Sequence, residues 1–294
     1  MELVLSQHID KKQWDQLVER SGGTVFSLSA YLDATADNWA VLYNADRSEG
    51  IACPFSVKLG IRVLYAPFFH RYTEWLGNNP PSEEELIKEL KIHFPVADAQ
   101  LKWENENHTR HHQVLTREGY KPNQQVKRML KKATGFEVVE QHKKPILAAL
   151  LKSELSHRIA AIDDHSLGLL ENLVDAFNSR GGELLQLNLE SNGEWLGGIW
   201  LLVFNNRVLY LKGTVTKEAK ENGGMYRLME HALKLAFDRD LLFDFGGSNV
   251  EGVRRFNLNW GSSDVTYGHL EWNNAPLWWK TLKSLRKKWS KRSS

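Results

Sequence analysis

Cysteine is almost absent from this sequence: Cys53 is the only one in 294 residues. A lone thiol cannot close an intramolecular disulfide, and it excludes a multi-cysteine zinc site of the CxxC kind. Set beside Pro54 and Phe55, it reads as buried filler rather than as a nucleophile. Long apolar runs are also missing. None approaches the roughly 20 residues of a membrane span, and MELVLSQHIDKKQW has no basic start followed by an apolar stretch. The expectation is a soluble, cytoplasmic protein. No long polar tract or acidic tail occurs, which leaves little room for disorder. There is no GxSxG elbow, Walker loop or strand-linked GxGxxG, so a typical hydrolase, NTPase or Rossmann enzyme is not indicated.

The length is about two domains' worth, and 42% apolar residues can supply two cores. The net charge is only +2, yet Leu277 to Ser294 carries seven basic residues and no acidic one, which leaves −5 for the rest. The positive charge is therefore local, which argues against a whole-surface nucleic-acid binder. In PLWWKTLKSLRKKW, Trp278, Leu282, Leu285 and Trp289 share one helical face opposite lysines and arginines. Such a helix either packs on its own domain or makes a peripheral membrane contact through residues 277–294.

Residues 11–19 and 29–38 read as helices, followed by short β-rich runs at Trp39–Tyr43, Ile51–Lys58 and Arg62–Pro67. Ser82 with Glu85 forms a capping-box signature for an amphipathic helix that Pro95 stops. AQLKWE reads as a strand, HTRHHQVLTRE as a polar helix, and Gln125–Leu130 as an alternating segment. On a helix His108 and His112 would share a face, with His111 beside them. No carboxylate stands at a supporting spacing, so solvent-exposed polar residues are preferred to a metal site. A second cycle begins after residue 135: apolar positions from Ile146 to Leu155, a helix at Ser166–Ser179, and three strands at 182–189, 193–204 and 208–212. SNGE and NN are the hairpin turns between them. Helix 224–239 and strand 241–245 follow. Both halves run helix, helix, meander, helix, strand, which predicts a duplicated α/β (α+β) architecture divided at 1–135 and 136–294.

The chemistry is expected in VLYLKGTVTKEAKENGGMYRLMEHALKLAFDRDLLFDFGGSNVEGVRRFNLNWGSS. Gly223 and Gly224 stand at a helix N-terminus, where unpaired N–H groups and the helix dipole favour an anion. Glycine there admits a phosphate closely, and Lys220 adds charge; the same pair also serves as an ordinary turn. In strand 241–245, alternation sets Leu242 and Asp244 on one face against Leu241, Phe243 and Phe245 on the other. Asp244 is the best-placed carboxylate, either a general base or an anchor for the GGSN turn; Ser248 has the same two readings.

This segment resembles the C-terminal half of the GNAT acyltransferase superfamily, and more narrowly the Fem-type, tandem-GNAT peptidyl and acyl transferases. The YLKG strand, the glycine loop before a helix, FDFGGS, EGVRRF and the WG pair carry the resemblance. It implies two tandem GNAT-like domains, each a mixed, mostly antiparallel sheet flanked by helices. It also implies an N-acyltransferase that moves an acyl or aminoacyl group from a thioester or ester donor to a small-molecule or peptide amine. The implied donor is acyl-CoA as co-substrate, without metal, held by Lys212, Lys220, Asn222, Gly223 and Gly224 where parallel strands splay. Aminoacyl-tRNA, used by cell-wall-building members, is the alternative donor. A catalytically inactive binding or scaffold protein is the other reading, motivated by two departures. Met225 stands where the phosphate loop has Gly or Ala, and Asn257 follows Phe256 where Fem-type ligases commonly have lysine. Arg254 or Arg255 is a candidate replacement for that lysine, so the implied catalytic set is Asp244, Arg255 and Asn257. In YAPFFHRYTEW, Tyr65, His70, Arg71 and Tyr72 are expected to shape the acceptor pocket, with Ser248 joining them; aromatics with a cation suit a polar, partly anionic acceptor.

Overall fold

The computed structural model of the chain describes residues 1–67, 69–103, 109–141, 144–155, 164–179, 182–247 and 250–281. The elements run in chain order β1 (Glu2–Leu5), α1 (Lys11–Arg20), α2 (Ser29–Thr35), β2 (Asn38–Tyr43), β3 (Gly50–Lys58), β4 (Ile61–Tyr65) and β5 (Trp75–Leu76). Next come α3 (Glu83–His93), β6 (Val96–Leu101), β7 (Thr109–Leu115), α4 (Gln124–Lys132) and β8 (Glu137–Glu140). The remainder is α5 (Lys144–Leu155), α6 (Asp164–Ser179), β9 (Glu183–Ser191), β10 (Glu194–Phe204), β11 (Arg207–Val215), α7 (Lys217–Glu221), α8 (Gly224–Asp238), β12 (Leu242–Asp244), α9 (Glu251–Leu258) and β13 (Ser263–Asn273).

The local signals that set these elements are visible. Ser82 accepts from the Glu85 N–H while Glu85 reaches back to the Ser82 N–H, closing the capping box of α3. The hairpin β9–β10 turns through Asn192 and Gly193, both at positive φ (51° and 79°), as a primed turn requires. Two assignments differ from the sequence reading. Residues 109–115 form strand β7 rather than a polar helix, because the polar side chains alternate across a sheet that buries both faces. His112 and Gln113 are both enclosed. Residues 124–132 form helix α4 rather than an alternating strand; Asn123 caps it by accepting from the Val126 N–H at 3.0 Å, and Val126 is its buried residue.

The strands make one sheet in the order β1-β2-β3-β4-β6-β13-β7-β12-β11-β10-β9-β8, with β5 paired to β3. The sheet runs without a break across residue 135, because β13 inserts between β6 and β7 and β7 pairs with β12. Among the described strands only β4–β6 and β11–β12 pair in parallel, each over three rungs, beside an isolated parallel bridge between Thr73 and Leu101. On one face α1, α2, α5 and α6 pack over Val41, Trp200, Leu202 and Leu209. On the other, α3 covers the β2–β3 end through Leu86 and Leu90, while α8 buries Leu228, Leu233 and Ala236 against Leu187, Ile199 and Phe243. Central strands buried on both faces read as nearly continuous apolar runs, which explains ELLQLNL and LGGIWLLVF. Among the described residues no helix is long and apolar enough to cross a membrane.

Candidate active site

The parallel pair β11–β12 holds for three rungs, Arg207–Leu242, Val208–Phe243 and Leu209–Asp244, and then opens. A bulge in the β10–β11 register leaves Leu211 without a ladder partner between Tyr210 and Lys212, re-aiming β11 at the point of separation. Across the gap, Gly246 and Gly247 both take left-handed backbone, with φ of 79° and 77°. A Cβ on Gly246 would lie 2.5 Å from the Tyr210 carbonyl oxygen, and one on Gly247 would lie 2.8 Å from Cβ of His112. Glycine is therefore required for the chain to leave β12 between β11 and β7.

A cavity of about 260 Å³ sits at this opening, walled by Tyr210 to Lys212 and Gly246–Gly247 on one side and by His70, Arg71, Arg110 and Tyr267 on the other. The 65–75 segment reaches it through fixed anchors. Tyr31 Oη donates to the Phe69 carbonyl at 2.7 Å, and the Thr73 N–H donates to Gln100 O at 2.9 Å. His70 Nε2 lies 3.2 Å from the Phe26 carbonyl oxygen, an acceptor only, so Nε2 carries the proton and Nδ1 the lone pair. That Nδ1 is buried with no hydrogen-bond partner, and burial pushes the ring's pKa down to about 4. His112, on β7, is also held neutral; burial, then the Arg71 charge, push it down to about 3.

Asp244 is fully buried and its two oxygens are taken. Arg71 donates to both, at 2.6 and 2.7 Å, Arg207 Nη1 adds a third bond at 2.6 Å, and the Gly246 N–H a fourth at 3.0 Å. Burial alone would raise its pKa, but the Arg71 and Arg207 charges win and hold it well below the usual carboxylate range. A carboxylate so engaged is a poor proton acceptor, so the geometry corrects the general-base expectation and fits the turn-anchoring one. Arg71 spends both terminal nitrogens on Asp244 and keeps a buried Nε–H with no partner.

The other expected residues distribute unevenly. Lys212 lines the cavity, half-buried, its pKa lowered by burial. Tyr72 is core, packed between Tyr267 and His112 at ring distances of 5.5 and 5.9 Å rather than lining the cavity. Tyr65 stands outside it and accepts from the Asp37 N–H. Asn257 is buried away from it, donating to Gln113 Oε1 at 2.8 Å, while Gln113 donates to Asp264. Arg255 is exposed on α9, and Arg254 is paired with Asp264. Neither lines the cavity.

The glycine loop also has a packing reason of its own. Gly223 has φ of 88°, and a Cβ there would fall 2.5 Å from the Met129 carbonyl oxygen of α4; one on Gly224 would fall 2.5 Å from Leu189. Protein lies where a side chain on either glycine would point, while Lys220 and Asn222 stay exposed. Ser248 lies outside the described residues, as do Leu282, Leu285 and Trp289. In the described part of the tail, Trp279 is the buried tryptophan, donating to the Lys58 carbonyl at 2.7 Å, and Trp278 is exposed. Of the described histidines, 111 and 112 stand on opposite faces of β7, and no metal-ligating cluster occurs among the described residues. His108 lies outside them. The sequence reading missed Arg110, Arg207 and Tyr210, and weighed His112 only as a metal ligand. Of the residues lining the cavity it singled out His70, Arg71, Lys212 and the DFGG glycines.

Residues 124–256 match the family described as the acetyltransferase (GNAT) domain. No match was found among the curated proteins. Among solved structures, FemX is similar over 92% of this chain and 98% of its own, at 12% identity and a TM-score of 0.60. A tandem GNAT protein from the clavulanic acid biosynthesis pathway matches over 94% and 99%, at 14% identity and 0.55. The C-terminal domain of a putative lysylphosphatidylglycerol synthetase from Agrobacterium fabrum matches over 88% and 89%, at 13% and 0.54. With two three-rung parallel pairs in one mixed, mostly antiparallel sheet, the chain has the fold of the tandem GNAT protein it resembles, and its residues 124–256 match the acetyltransferase (GNAT) domain.

Proposed function

We propose that the protein is an N-acyltransferase that takes an acyl group from a thioester donor, acyl-CoA, and passes it to an amine at the cavity between residues 1–135 and 136–294. The observation that carries this reading is the opening of β11 from β12 beside a histidine whose Nδ1 is unengaged. In this reading the donor's arm enters between the strands as an added strand would, using backbone groups of β11 freed at the bulge. The amine nitrogen attacks the thioester carbonyl carbon; a C–N bond forms and the C–S bond breaks. The nitrogen becomes strongly acidic as the C–N bond forms, so a neutral imidazole of low basicity suffices to take its proton, and His70 Nδ1 is the group assigned. The amine enters the step neutral, its ammonium proton already lost to solvent; the imidazolium formed is far more acidic than a thiol and returns its proton to the leaving thiolate. Asp244 acts as a positioning residue that ties Arg71 to the strand pair.

Calorimetric titration with acetyl-CoA and longer acyl-CoAs, followed by thiol release in the presence of pooled amines, tests the reading. Binding and amine-dependent thiol release are expected; no heat at millimolar donor and no release would overturn it. An aminoacyl-tRNA donor is the second reading, favoured by Lys127, Arg128, Lys131 and Lys132, all exposed on α4 beside the start of α8. Strong, salt-sensitive retention of tRNA on filters would place it first.

A further inference from the structure

The cavity has an uncompensated charge. Its wall includes Arg71, Arg110 and Lys212, and it includes no carboxylate. Asp244, one layer behind, is shared between Arg71 and Arg207, so that cluster is itself one positive charge in excess. Neither Arg110 nor Lys212 has an ion-pair partner among the described residues, and burial is the cause that lowers the lysine's pKa, with no anion opposing it. His70 and His112 add no negative charge. Half-buried cations without a counter-ion are costly to keep unless a ligand supplies the anion. Two further buried groups on the same wall are unsatisfied and of opposite kind: Arg71 Nε–H is a donor, and His70 Nδ1 is an acceptor. Both residues line the cavity, and the two atoms are closed to solvent in the unliganded chain.

We infer that the amine acceptor is an α-amino acid, recognised as such. Its carboxylate is received by Arg110 and Lys212 with the Arg71 Nε–H, and its amine hydrogen-bonds to His70 Nδ1, where acylation takes place. This assignment rests on the N-acyltransferase reading for its chemistry, but its binding test does not. The donor is a poor source for the anion, because a pantetheine arm separates the phosphates of CoA from its thioester. The volume, about 260 Å³, lies just below the range of roughly 300–1,000 Å³ usual for small-molecule sites, which suits a small acceptor. A side chain of modest size fits beside the two recognised groups, lying against Phe26, Leu209 and Tyr267.

The experiment uses the full chain without donor. Pools of the twenty standard amino acids are screened by saturation-transfer NMR, and each binder is compared with the amine that lacks its carboxylate, such as methylamine for glycine, phenethylamine for phenylalanine or cadaverine for lysine. At least one amino acid is expected to bind, its decarboxylated partner not. Loss of one charge-assisted contact in Arg110→Gln or Lys212→Gln should weaken the binder roughly 10- to 100-fold, with Arg110→Lys recovering part of it. Circular dichroism on each variant separates lost binding from lost fold. Equal binding of acid and amine, or no binding by any amino acid while acyl-CoA still binds, overturns this inference and leaves the acyltransferase reading standing. Amino-acid binding without any acyl-CoA binding supports the carboxylate site and sinks the acyltransferase reading instead.

Discussion

Arg71 and Asp244, 173 positions apart, form a bidentate ion pair at 2.6 and 2.7 Å in the interior of the sheet. The pair ties the segment after β4 to the end of β12, so one wall of the cavity cannot move without the other. Removing one partner strands a buried charge. Asp244→Ala is expected to cost about 3–5 kcal/mol, the usual range for breaking a buried pair, and Arg71→Met a similar amount. Arg207→Met should cost much less, because Arg207 is part-exposed and leaves the bidentate pair intact. Urea unfolding of the three variants checks the order. An Asp244→Ala protein as stable as the parent would mean that the carboxylate is not the strut described.

Acid sensitivity follows from the same cluster in two windows. His70 and His112 are neutral in the fold, with pKa values pushed down to about 4 and about 3. Between those values and about 6.5, where an unfolded histidine titrates, the unfolded chain binds the extra protons, so stability falls as pH drops through this window. Asp244 has the opposite cause and a lower window: its depressed pKa contributes stability above about 3.9 that is lost as pH falls below it. The denaturant midpoint should therefore fall from pH 7 to pH 4.5, and His70→Gln and His112→Gln should each flatten that slope. An unchanged slope in both variants would show that neither ring is buried neutral.

Gly223 and Gly22 make a controlled comparison. Both have positive φ, 88° and 64°, but a Cβ on Gly22 meets nothing within 4 Å, whereas one on Gly223 meets the Met129 carbonyl oxygen at 2.5 Å. Gly22→Ala should cost only the left-handed strain, about 1–2 kcal/mol. Gly223→Ala must also displace backbone of α4 and should cost clearly more. Equal losses in chemical denaturation would return Gly223 to the role of a simple turn.

How far this could be read in advance depends on where each residue's partner lies in the chain. Local signals were legible: the Ser82–Glu85 box, the hairpin turn at Asn192–Gly193, and the alternation that sets Asp244 opposite Phe243 and Phe245. Strand β7 was not. Its polar run suggests solvent, but Gln113 is buried because Asn257 stands 144 positions away, and His112 because Arg71 and Tyr267 enclose it. Helix α4 had a usable sign in its Asn123 cap. The cavity drew on residues from seven separate stretches, of which the motif-bearing segment supplied two. Gly246 and Gly247 were quoted for resemblance, but their physical reason, passage between Tyr210 and His112, needs the packed neighbours.

The two tryptophans at the end of the described chain test the tail. They are adjacent, so a helix turns them about 100° apart and only one can face the body. Trp279 does: it is 1% exposed, packs with Val63, Val96 and Ala275, and donates its indole N–H to the Lys58 carbonyl at 2.7 Å. Trp278 is 53% exposed. Trp279→Ala should cost about 3–5 kcal/mol through the lost core volume, with the Lys58 carbonyl left unpaired in addition. Trp278→Ala should stay within about 0.5 kcal/mol, as for a surface substitution. Anionic vesicles add a second readout. If the exposed ring meets a membrane surface, Trp278→Ala weakens vesicle binding while leaving the unfolding midpoint alone; if the tail only packs on its own domain, neither variant changes vesicle binding and only Trp279→Ala moves the midpoint.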